Sequence, residues 1–137
     1  MKILSLATIR KKTTDIARII NAPRDLLPTF GSTRDFGNPH IEVDKKNYHY
    51  VVVERGIEWE RSTTQNLNEL LYWIFNDVTF QMACDYEVKN RVNNQDFRRE
   101  LFRKQLEFMK NINSDFSKKL EEEIREILKN HPFNDNR

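Results

Sequence analysis

Residues 48–87, YHYVVVERGIEWERSTTQNLNELLYWIFNDVTFQMACDYE, decide the fold. Tyr48–Glu54 alternates, with Tyr48, Tyr50 and Val52 on one side and His49, Val51 and Val53 on the other, as in a strand. Arg55-Gly56 marks a tight turn, because glycine tolerates positive φ. Ile57–Ser62 returns as a second strand, with Ile57 and Trp59 on one side and Glu58 and Glu60 on the other. Past Thr63 and Thr64, either of which can cap a helix, the spacing becomes helical. Leu67, Leu70, Leu71, Ile74, Phe75, Val78 and Met82 make one stripe, flanked by Trp73, Phe80 and Cys84 and by Tyr72, Ala83 and Tyr86. Little beyond Glu69, Asn76 and Glu87 stays polar, and a helix apolar on nearly every side must be buried.

The rest of the chain is arranged around this stretch. After Ser5, a plausible N-cap, Leu6, Ile9, Ile16 and Ile20 fall on one helical stripe that ends at Pro23. The segment through Pro23, Pro28, Gly31, Gly37 and Pro39 reads as loop, with a short strand near Thr29–Ser32. A strand begins at His40 and turns at Lys45-Lys46-Asn47 into Tyr48. Asn93-Asn94 breaks the buried helix. A third helix starts at Asp96 and carries Phe97, Leu101, Phe102 and Met109. A last helix follows Asn113-Ser114, with Phe116, Leu120, Ile124 and Ile127 on its stripe. The predicted fold class is α+β: an N-terminal helix, a small antiparallel β-meander of about three strands, then three helices, the first central and buried. One domain is expected over residues 1–137, with residues 133–137 fraying.

Composition excludes several function classes. Charged residues make up 32% of the 137, yet the net charge is only +2 and the signs are interspersed. That is not the footprint of a committed nucleic-acid binder. The lone Cys84 permits no internal disulfide and fits a reducing, cytoplasmic setting. No secretory signal stands at the start, and no apolar run approaches the roughly 20 residues of a membrane span.

Catalytic chemistry is not advertised either. His40, His49 and His131 are scattered without partners at metal-ligand spacing. The three glycines form no phosphate-cradling loop, and Cys84, on the apolar helix, reads as a small buried hydrophobe. No metal or cofactor is implied. Two charges stand out: Asp85 falls in the apolar stripe of its helix, and Arg98 in that of the next. Buried charges need partners, so Asp85 and Arg98 are expected to pair across the two helices. The basic residues Arg91, Arg98, Arg99, Arg103 and Lys104 alternate with Asp96, Glu100 and Glu107, which suits a solvated, salt-bridged face.

The order of several segments carries a family resemblance. PHIEVD (39–44), YHYVVVERG (48–56), WERSTT (59–64), ELLYWIF (69–75), VTFQMACDYE (78–87) and DFRRELFRKQLE (96–107) occur in sequence, with LLPTFG (26–31) before them and NHPFND near the end. In these the chain resembles the bacterial immunity protein 63 family. The resemblance implies a cytoplasmic, non-enzymatic α+β protein of a polymorphic toxin system, whose partner is a cognate bacterial toxin domain. It supplies no catalytic or assigned binding residues. Two surfaces suit a protein partner by their charge and aromatic content. One is the outward side of the hairpin, with Glu58 and Glu60, to which Tyr48 and Tyr50 belong unless they pack beneath a helix. The other is the irregular 24–39 loop, with Arg24, Arg34, Asp35 and Phe36. The competing reading is a nucleic-acid-binding or regulatory module that uses the Arg-rich helix 96–112.

Overall fold

Ser5 starts the first helix, α1 (Leu6–Ile19), by accepting a hydrogen bond from the Thr8 amide at 3.2 Å. In this computed structural model, which describes residues 2–33 and 36–136, α1 buries Ile9, Thr13 and Ala17. The buried Thr13 hydroxyl donates to Ile9 O at 2.8 Å, so that hydroxyl is not stranded inside. A single 3-10 turn at Arg24–Leu26 leads into β1 (Thr29–Phe30). Then come β2 (Phe36–Val43), β3 (Tyr48–Glu54), β4 (Ile57–Thr64), α2 (Leu67–Lys89), α3 (Phe97–Ile112) and α4 (Ser114–Asn130). The architecture is α+β in the expected order. Two compact units divide the chain, Met1–Ile74 and Phe75–Arg137, and the boundary falls inside α2.

In the first unit the sheet has four strands in the order β1-β2-β3-β4. β2, β3 and β4 form the expected antiparallel meander, and β1 adds a short parallel strand at the β2 edge. Asp44 fixes the β2–β3 turn by accepting from the amides of Lys46 and Asn47, both at 2.8 Å. Arg55 (φ 54) and Gly56 (φ 75) form the tip between β3 and β4. Positive φ at both central residues is the turn whose twist matches paired strands. Tyr48 and Tyr50 are buried, at 1% and 7% exposure. The Tyr48 hydroxyl accepts from the Leu4 amide at 2.9 Å, and Tyr50 meets Trp73 edge-on with ring centroids 6.4 Å apart. Of the two placements open to these tyrosines, the inward one holds. Asn66, two residues beyond Thr64, caps α2 through the Glu69 amide, while the Thr64 hydroxyl accepts from the Asn66 amide.

In the second unit Asp96 caps α3 by accepting from the Arg98 amide. Asn113 both ends α3, donating its amide to Met109 O, and caps α4, accepting from the Phe116 amide at 2.8 Å. One residue thus makes the corner of a helical hairpin whose arms pack together. Buried Gln105 donates to Asn76 O and to Thr79 Oγ1, at 3.1 and 3.2 Å, and ties α3 to α2. The terminal segment expected to fray is docked as far as Asn136. The Asp135 carboxylate accepts from the Asp96 amide, and the Asn134 amide donates to Asp96. The Phe133 ring lies 4.2 Å from the Arg99 guanidinium carbon and packs on Phe102. Among the described residues, no helix is long and apolar enough to cross a membrane.

Candidate interaction surface

Pairing register sorts the meander into two faces. Tyr48, Tyr50 and Val52 line the inner one. The outer one carries His40 and Glu42 from β2, His49 and Val51 from β3, and Arg61 and Thr63 from β4. Its chemistry is ionic. Arg61 reaches Glu42 Oε1 at 3.2 Å and Glu58 Oε1 at 2.8 Å, and Glu42 accepts from His40 Nε2 at 2.7 Å. Because Arg61 and His40 flank Val51 in register, the Arg61–Glu42 bridge straddles that valine. Val51 is accordingly fully buried on a polar face. The His40 bond first, with help from Arg61, holds the Glu42 carboxyl below its ordinary range against the opposing effect of burial. Arg61 lowers Glu58 in the same way. Beside this network His49 bonds Asp44 at 2.7 Å and Thr63 at 2.9 Å. The Asp44 carboxyl is brought down to about 2, chiefly by His49 and then by the turn amides.

β4 is an edge strand, and its stretch Ile57–Arg61 is exposed on both faces. Between Val52↔Glu60 and Val53↔Glu58 the register slips, which makes Trp59 the extra residue of a β-bulge. Bulges and charges are the usual protection of a sheet edge against indiscriminate pairing. The bulge corrects the expected placement of the two glutamates. Glu58 turns to the ionic outer face and is engaged by Arg61, whereas Glu60 opposes Val52 on the other side. Trp59 and Ile57, which alternation had grouped together away from the glutamates, are 67% and 55% exposed. A tryptophan that open to water is unusual, and its residue type dominates protein interfaces. The one signal for it in the sequence was its nearness to the Arg55-Gly56 tip.

The other expected sites divide. Arg34 and Asp35 lie outside the described residues, and Phe36 opens β2 with its backbone opposite Glu54. Asp85 and Arg98 do not pair. Asp85 is exposed, and Arg98 gives its guanidinium to Asp96 at 2.9 Å and to the carbonyls of His131 and Pro132. The reason is where α2 is covered. Beyond Phe75 its buried positions include Val78, Thr79, Ala83 and Glu87, while Phe80 and Val88 are 45% and 67% exposed. Cys84 is half-buried, and burial, then Asp85 and Glu87, raises its thiol pKa, the opposite of nucleophile activation. In α3 the basic residues Arg98, Arg99, Arg103 and Lys104 are committed. Arg99 pairs with Asp135, Arg103 with Glu100 and Glu107, and Lys104 with Glu107.

The family model of immunity protein 63 matches residues 44–126, more than half of the chain. The chain belongs to the immunity protein 63 family. No curated protein and no solved structure matches it. The immunity protein 63 match spans β3, β4, α2, α3 and most of α4, so the exposed β4 segment lies within it. Immunity proteins of this kind belong to toxin systems.

Proposed function

We propose that this protein binds one cognate bacterial toxin domain stoichiometrically and blocks it without turnover, with the β4 segment Ile57–Arg61 at the centre of the interface. The match over residues 44–126 carries the reading. The surface supports it: Trp59 and Ile57 offer exposed apolar anchors, and Glu60 and the Arg61–Glu58–Glu42 network offer a charged rim. At a net charge of +2 the protein does not work as an overall acidic mimic of nucleic acid. Direct nucleic-acid binding through α3 is disfavoured by the carboxylates that already hold Arg98, Arg99 and Arg103.

The test is to express a toxic domain from a toxin gene neighbouring that of this protein, with and without it, score growth, and titrate the two purified partners calorimetrically. Rescue with one-to-one binding is expected. Trp59→Ala should weaken that binding by at least about 2 kcal/mol, roughly 30-fold, and leave stability within about 0.5 kcal/mol. Failure to rescue growth would remove the immunity reading. Full affinity in the Trp59 variant would move the interface elsewhere.

A further inference from the structure

A cleft of about 440 Å³ opens in the first unit between α1 and the segment that leads into β1. Leu27, Pro28 and Phe30 give it an apolar lining, Thr14, Thr29 and Ser32 a polar one, and Arg10 and Arg24 line it as well. The cleft is held in shape from below. The Gly31 amide donates to Ile41 O at 2.7 Å and continues the β1–β2 pairing, and Leu27 N closes the 3-10 turn onto Arg24 O at 3.1 Å. Arg10 lies 5.4 Å from the centroid of the Phe30 ring, which fixes its planar head over the apolar lining.

Among the described residues the two cations are unmatched. Arg18, Arg61, Arg91, Arg98, Arg99 and Arg103 each have a carboxylate within salt-bridge distance. Neither Arg10 nor Arg24 pairs with a carboxylate among the described residues. Two unneutralised forks beside an apolar surface make a site for an oxyanion, because the fork matches a carboxylate in bidentate fashion and the nearby apolar wall strengthens the attraction.

We infer that this cleft binds an acidic peptide segment, with a carboxylate between Arg10 and Arg24 and a neighbouring apolar side chain against Leu27, Pro28 and Phe30. The volume holds one or two side chains. A nucleic-acid strand would call for a longer run of free cations than two arginines in a chain of net charge +2. The site does not rest on toxin binding through β4. It occupies the opposite edge of the sheet, and all its residues precede the family match.

The test is an amide-shift titration of the isotopically labelled full chain by nuclear magnetic resonance. Four probes are compared: an end-blocked tetrapeptide of alternating leucine and glutamate, its glutamine analogue, inorganic phosphate, and a short single-stranded dT oligonucleotide. Saturable shifts at Thr14, Leu27, Thr29 and Phe30 are expected with the glutamate peptide. Binding should be at least about tenfold weaker for the glutamine analogue, and also for the glutamate peptide on Arg10→Gln or Arg24→Gln protein. Arg24→Lys, which keeps the charge and loses the fork, should fall between. Equal binding of the glutamine analogue overturns the proposal, as does a response as strong to phosphate or the oligonucleotide. So does the absence of saturation at the cleft in protein whose spectrum shows it folded.

Discussion

Asp96 shows how one buried charge is made tolerable. Fully buried, its carboxylate accepts from the Arg98 guanidinium and from the amides of Arg98 and Asn134. Arg98 first, with burial opposing and the amides assisting, holds that carboxyl far below the usual aspartate value of 3.8. Asp96→Asn keeps a capping acceptor but leaves the largely buried Arg98 without its counter-charge. A loss of about 3 kcal/mol is expected, read from the urea midpoint at unchanged slope. The sequence flagged Arg98 as a buried charge in need of a partner but named the wrong one. Asp85 looked buried because a helix apolar on nearly every side gives no direction to its own wheel. Asp96, placed as a helix start, gave no sign that it would also be an ion-pair hub.

At the scale of elements, the β3–β4 tip and the C-terminal segment make opposite predictions. Arg55 adopts the left-handed region at φ 54 in a turn that favours Asn-Gly. Arg55→Asn should therefore stabilise the protein by up to about 1 kcal/mol, measurable as a raised urea midpoint. The segment after α4 was expected to fray, since it is short, polar and terminal. It is instead clamped by Arg98, Arg99 and the Asp96–Asp135 contacts. Truncation after His131 should lower the thermal midpoint by about 5 °C or more; no change would mean that the docked tail contributes nothing. Strand content was legible from alternation and helix content from periodicity. The short strand expected near Thr29–Ser32 stands as β1, but its parallel pairing with β2 was not legible, and neither was the Trp59 bulge, because an added residue leaves the local composition unchanged while reversing which face every later residue takes.

At the scale of the molecule, carboxylates set the response to acid. Among the described residues Glu42, Asp44, Glu58, Glu87, Asp96, Glu107 and Asp135 all have lowered pKa values in the folded state. Each contributes stability that is complete above its ordinary value, 4.5 for glutamate or 3.8 for aspartate, and is lost as pH falls through the folded value. Most are exposed and screened, so buried Asp96 should dominate. The thermal midpoint should hold between about pH 5 and 7 and drop on the order of 10 °C by about pH 3. Asp96→Asn should flatten that acid limb, as followed by circular dichroism. An equally steep limb in the variant would place the sensitivity in other groups.

Sequence alone determined the order of helices and strands, the two-sided alternation along β3 without its inward direction, and the family, because each is written in local period or in motif order. Tertiary structure decided which side of α2 is covered, which charge Arg98 meets, that residues 132–136 are pinned, and that Trp59 stands in water. Each of these depends on what another part of the chain places beside a residue. Neither propensity nor periodicity encodes such a neighbour when the residues that meet lie far apart in sequence, as Arg99 and Asp135 do, or when a single inserted residue shifts the register.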